Sequence, residues 1–306
     1  MAAVASLVPP DLLGGSAPAL SPAPGSSGPL AFHPHPWAWA AVAALAVAYA
    51  WALRSMGQGQ ATTARHKACF GAGLAALAAA TTWPLADLGR RWSLLAHMGQ
   101  MSLILLAAAP LLVLGTPRWL ARRLTEPPRV DSLLRRLTTP GAAVVVFNAT
   151  VVASLLPPVL RAGADSPAAA GAVLAGLLAA GVVMWVPALR AMPGPRQLST
   201  AGRMGYLFLQ SVLPNFPALV FILAGRPIYP PSTLDPTALG LEPLTDQRLA
   251  GAVAKLVGIA VLWGAAGVIL ARAHRAEATG QDPDPLQWDD VERELRRLER
   301  RRTDAP

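Results

Sequence analysis

Seven stretches of the chain stay apolar for long enough to cross a bilayer, which takes a helix of about 20 residues. They lie near Trp37–Leu53, Ala68–Leu85, Trp92–Leu114, Gly141–Leu160, Pro167–Leu189, Met204–Ala224 and Leu249–Ala271. Prolines and glycines fall inside several of them. Membrane helices tolerate these because neighbouring helices re-satisfy the freed backbone groups. The pattern predicts an all-α fold, a polytopic membrane bundle of about seven transmembrane helices. It also divides the chain. Residues 1–36 form an expected flexible extracytoplasmic tail, rich in Pro, Ser, Gly and Ala and without the basic start of a secretory signal. Residues 37–272 carry the helices, and residues 273–306 form a charged cytoplasmic tail. The segment Val291–Arg302 fits either a short charged helix on an anionic membrane surface or a merely solvated tail.

Composition agrees with this class. Of 306 residues, 53% are hydrophobic and 14% charged, against about 25% charged in soluble domains. So few charges do not cover a soluble body of this size. The net charge of +9 would suggest nucleic acid in a soluble protein, but its placement says otherwise. Twenty of the 26 basic residues follow the first, third, fifth and seventh stretches. Only Arg90, Arg91, Arg161, Arg226 and Arg248 occupy the opposite loops, and Lys255 lies inside the last stretch. Basic loops are retained in the cytoplasm. The N-terminus is therefore expected outside and the C-terminus inside, and the charge is a topology signal with no nucleic-acid partner. The single cysteine, Cys69, excludes an intrachain disulfide and a multi-cysteine metal cluster.

Ionisable and soft side chains inside the stretches are the places to look for chemistry, because they are costly in lipid and usually face a bundle interior. Of five histidines, only His97 is clearly within the membrane. Met101 is four residues on, so it shares a helix face with His97, and Met98 is adjacent. An imidazole with a thioether suits cuprous copper better than zinc, magnesium or calcium. Two donors on one helix are an incomplete site, and a hydrogen-bonded histidine beside a gap-filling methionine is the competing explanation. Asp246 stands at the entry to the last stretch, either as a charge complementing the helix dipole or as a functional group. Asp87 and Lys255 have solvated-loop and snorkelling explanations. Asn148 and Asn215 suit interhelical hydrogen bonds. His33 and His35 form a His-Pro-His pair in the expected tail, where a disordered setting explains them. Phosphate-binding glycine loops, a nucleophile elbow and a His-Glu-x-x-His pair are absent from the sequence. A bis-histidine haem lacks its second intramembrane histidine.

The run His97-Met-Gly-Gln-Met-Ser-Leu-Ile-Leu-Leu-Ala-Ala-Ala-Pro-Leu-Leu-Val-Leu-Gly-Thr-Pro117 resembles the signature of the CtaG family, assembly factors of caa-type cytochrome c oxidase. Further landmarks fall in the family's order: Trp83-Pro-Leu, Gly181-Val-Val-Met-Trp185-Val-Pro, Leu198-Ser-x-x-Gly-Arg-x-x-Tyr206 and Asp246-Gln-Arg-Leu-Ala-Gly251. The resemblance implies a multi-pass protein of the bacterial plasma membrane that helps mature a haem-copper oxidase and is linked to copper delivery. It implies histidine ligands for that copper. Two departures stand out. The family's second histidine in the third span is Met101 here, and Pro167–Trp185 contains no histidine where the family usually has one.

The reading is a non-enzymatic assembly factor with His97 and Met101 as copper ligands and Met98 and Asp246 as additional groups. Its expected partners are cytochrome c oxidase subunits, the lipid bilayer and a periplasmic copper donor. The alternatives are a permease lined by Asp87, Asp246 and Lys255, and a metal-free structural partner of the oxidase.

Overall fold

The computed structural model describes residue 28, residues 30–57, 61–191 and 197–280, and positions 282 and 295. The segment Val291–Arg302 lies, apart from Leu295, outside the described residues. Within them every regular element is a helix. We number these α1 (Pro36–Ser55), α2 (Ala64–Thr81), α3 (Leu85–Trp92), α4 (Leu94–Gly115), α5 (Arg118–Leu124), α6 (Pro128–Leu137), α7 (Pro140–Ser154), α8 (Pro157–Asp165), α9 (Pro167–Leu189), α10 (Thr200–Leu223) and α11 (Pro243–Ala278). Five of them, α1, α4, α9, α10 and α11, are long and apolar enough to cross a membrane. The number reaches seven when each of two bent pairs, α2–α3 at 50° and α6–α7 at 79°, is taken as one span.

Proline explains where the helices depart from the sequence pattern. The second stretch was expected to run to Leu85, but α2 stops at Thr81. Pro84 has no N–H to continue the ladder and disfavours helical backbone at Trp83. The chain turns there through a cis Trp83–Pro84 bond. The fourth stretch was expected to reach Leu160, but α7 ends at Ser154, because Leu156 precedes Pro157 and takes extended backbone. The arginine-rich connection before α7 is itself helical, as α5 and α6. The last helix outruns the expected Ala271 by a full turn or more. At about 1.5 Å per residue its 36 residues exceed a hydrocarbon core of about 30 Å, so its arginine-bearing end projects beyond the apolar zone.

Helix α4 is the centre of the bundle. Of its most apolar window 56% is buried, against 11% for α1 and 17% for α11. Lipid supplies no hydrophobic drive between helices, so close packing and hydrogen bonds must hold them. Two glycines permit that approach. A Cβ on Gly115 of α4 would lie 2.4 Å from the Phe70 nitrogen of α2, and one on Gly181 of α9 would lie 2.8 Å from Ala109 of α4.

The same packing repairs backbone groups that prolines orphan. Residues Leu103–Ala108 widen into a π-turn, and Ala109 N–H reaches back five residues to the Ile104 carbonyl. The next donor in that register is Pro110, which has none, so the Leu105 carbonyl loses its backbone partner. The Trp185 indole of α9 donates to it at 2.8 Å. Likewise the Ala80 carbonyl in α2 should accept from residue 84, which is proline. The Gln100 side-chain amide of α4 donates to it instead, at 2.7 Å.

A buried carbonyl without a partner costs about 1–3 kcal/mol. Trp185→Phe is therefore expected to lower thermal stability in detergent by about that amount. The loss should shrink in a Pro110→Ala background, which restores a backbone donor. An equal loss in both backgrounds would contradict the register argument.

Candidate functional site

The site lies at the end of the bundle where α1, α4, α9 and α11 begin and where α3 and α7 end. Its framework is the start of α4. The first N–H groups of a helix have no partner within it, and in an apolar interior they must find one. Ser93 is the N-cap, accepting from Ala96 N–H at 3.1 Å through its hydroxyl oxygen. Asp246, in the first turn of α11, supplies the rest. Its carboxylate accepts from the Ser93 hydroxyl at 2.6 Å, from Leu94 N–H at 2.7 Å and from Leu95 N–H at 3.4 Å. Asp246 is only 2% exposed. Its charge complements the positive ends of two helices, α4 as well as its own α11. The sequence suggested only the second of these.

The next residue, Gln247, ties α11 to the end of α10. Its amide donates to the Phe221 carbonyl at 3.1 Å and accepts from Ile228 N–H at 2.7 Å. Further along α10, Asn148 of α7 donates to Gln210, Gln210 donates to the Tyr206 hydroxyl, and Tyr206 donates to the Met184 carbonyl of α9. Asn148 thus bonds between helices as expected, whereas Asn215 donates within its own helix, to the Ser211 carbonyl. Outside the spans, Tyr229 donates to the Leu155 carbonyl at 2.6 Å, and burial pushes its phenol up to about 12.

His97 is different. It is buried, one turn into α4, and its backbone packs against Gly89 of α3. Gly89 packs closely there, since a Cβ would lie 3.1 Å from His97 Cα and 3.2 Å from the Gln100 side-chain oxygen. Nε2 of the ring has no hydrogen-bond partner.

The sequence-predicted donors are not gathered into one site. His97 lines a cavity of about 40 Å³ with His35, Gln100 and Ser154. Met98 and Met101 line a second, more apolar cavity of about 80 Å³ with Phe147 and Gln210. Ser154 stands between them: it lines the first cavity, its hydroxyl donates to the Val151 carbonyl at 2.7 Å, and its oxygen lies 3.8 Å from the Met101 sulfur. Asp246 is occupied by the start of α4. Among the described residues no group of three or more His, Cys, Asp or Glu side chains is arranged to hold a metal ion. Asp87 contacts His33 and His35, Asp246 binds α4, and Lys255 pairs with neither carboxylate.

Two residues take on roles that sequence reasoning did not give them. His35, expected in a flexible tail, is 6% exposed, with Nε2 3.2 Å from Asp87 Oδ1. Asp87, expected in a solvated loop, sits on α3 with its other oxygen 3.6 Å from His33 Nδ1. The available signal was the position of the histidines directly before Pro36, the first residue of α1.

A family model described as cytochrome c oxidase caa3 assembly factor (Caa3_CtaG) matches residues 47–276. No curated protein and no solved structure matches the chain. The matched region contains His97, Met98, Met101 and Asp246.

Asp246→Ala leaves two buried donors and one part-buried donor unpaired and is expected to cost about 3 kcal/mol. His97→Gln should change stability by less than about 1 kcal/mol, since Nε2 holds nothing in place. Thermal unfolding of the two purified variants tests this ordering, and an equal loss for both would refute it.

Proposed function

The chain belongs to the family of cytochrome c oxidase caa3 assembly factors, and from that premise we propose that it delivers copper to the oxidase during assembly. It acts as a carrier and docking scaffold without catalysing a covalent reaction. Copper is its cargo, held as the cuprous ion. The protein sits in the bacterial plasma membrane with its arginine-rich helix ends toward the cytoplasm. The His97 end of the bundle then faces outward, where a periplasmic donor can load it and oxidase subunits can receive from it.

One observation carries this reading. Five polar side chains of the family-like segments, Gln100, Trp185, Tyr206, Asp246 and Gln247, are engaged in bonding backbone groups. His97 Nε2, by contrast, is buried without a hydrogen-bond partner. A desolvated imidazole nitrogen with a free lone pair is a ready ligand for a soft or borderline cation. The residues present therefore fit a copper ion at His97. In this reading Asp246 is a positioning residue, because it fixes where α4 begins and so where His97 stands. Met98 and Met101 line the neighbouring, more apolar cavity and donate nothing to the ion.

The test is made on membranes of cells that depend on this chain. When the chain is removed, the oxidase polypeptides should still insert but carry less copper, and added copper should partly restore oxidase activity. Copper content unchanged in the absence of the chain would overturn the delivery reading.

A further inference from the structure

Resting on that copper reading, we propose that His35, which precedes the family-matched region, is the second copper donor, and that His35 and His97 hold one cuprous ion between them across their shared cavity. Both imidazoles are more than nine-tenths buried. In both, Nε2 lacks a hydrogen-bond partner, and both residues line the same cavity of about 40 Å³. A water needs only about 10–15 Å³ of such space, so an ion fits. His35 Nε2 lies near Asp87 Oδ1 but out of hydrogen-bond alignment, and Asp87 Oδ2 is also without a hydrogen-bond partner. Two buried imidazoles therefore line one small cavity, with the Asp87 carboxylate beside His35.

The donor set selects the ion. Structural zinc needs four ligands, and calcium or magnesium needs six or more oxygens. The described residues offer no three-donor group. A cuprous ion, with a filled d shell, is content with two nitrogen donors in line. Binding adds one positive charge to a dry region, and the Asp87 carboxylate balances it. Arg90 also lines the cavity, but its guanidinium donates to the Gly163 and Ala164 carbonyls at the end of α8, at 3.1 and 3.2 Å. Its charge is thereby directed to the negative end of that helix. The arrangement also bears on the departures noted in the sequence. In place of the family's second histidine stands Met101, which lines the other cavity. A histidine from the segment before α1 supplies what α4 and α9 lack.

The experiment uses the full-length chain, purified in detergent under anaerobic reducing conditions and titrated with cuprous ion against a bicinchoninate competitor. One ion per chain is expected, and His35→Ala and His97→Ala should each weaken binding by about tenfold or more. Met101→Leu should leave it unchanged, and the copper X-ray absorption spectrum should show nitrogen scatterers without sulfur. Unaltered affinity in His35→Ala, or sulfur in the coordination shell, would overturn the pairing while leaving copper binding at His97 standing. Absence of cuprous binding by the unsubstituted chain would overturn the copper reading itself. Melting curves of both alanine variants establish that the site, and not the fold, was changed.

Discussion

The carboxylate of Asp246 on the open end of α4 is the interaction on which the rest of the bundle depends. A helix that starts in an apolar interior exposes donors that water cannot reach, and a buried carboxylate is equally costly alone. Each solves the other's problem. The contact joins residues about 150 positions apart, so it also fixes the last helix against the central one. Ser93 takes part in both directions, capping its own helix and donating to Asp246. Once α4 is anchored there, the height of His97 is set by helical rise alone.

The same constraint recurs at two prolines. Pro84 and Pro110 each strip one carbonyl of its partner, and Gln100 and Trp185 each restore one from another helix. Tyr49 does so at the end of α4, donating to the Gly115 carbonyl at 2.8 Å. Prolines therefore act as fixed points that specify which helix packs where, since only one neighbour carries the matching donor. This accounts for the pairing of an Ala-Pro in the third span with a Trp in the fifth, a correlation invisible to periodicity.

The membrane class and most helix positions were legible because about 20 apolar residues in a row have few other uses. Pro167–Leu189 appears in the structure as a helix with the same ends. What the pattern could not show was interruption, since Pro84 and the Pro157–Pro158 pair stop helices inside runs that remain apolar. His97 stood out as an ionisable residue in lipid. The role of Asp246 did not, because its partners are backbone donors on a helix far away in sequence. Spacing grouped His97 with Met101 because it sees one helix at a time, whereas the cavities are built between helices. His35 was hidden for the opposite reason. Its neighbourhood has the composition of a disordered tail, and only contact with Asp87 and the end of α3 brings it inside.

The central claim is that the scaffold is satisfied without His97 Nε2, and that this nitrogen is therefore free for cargo. It is tested most directly by measuring, in the same membranes, the abundance of the folded chain and the copper content of the oxidase for His97→Ala. The account predicts normal abundance of the chain with a copper-poor oxidase. A fully copper-loaded oxidase at normal chain abundance would contradict it.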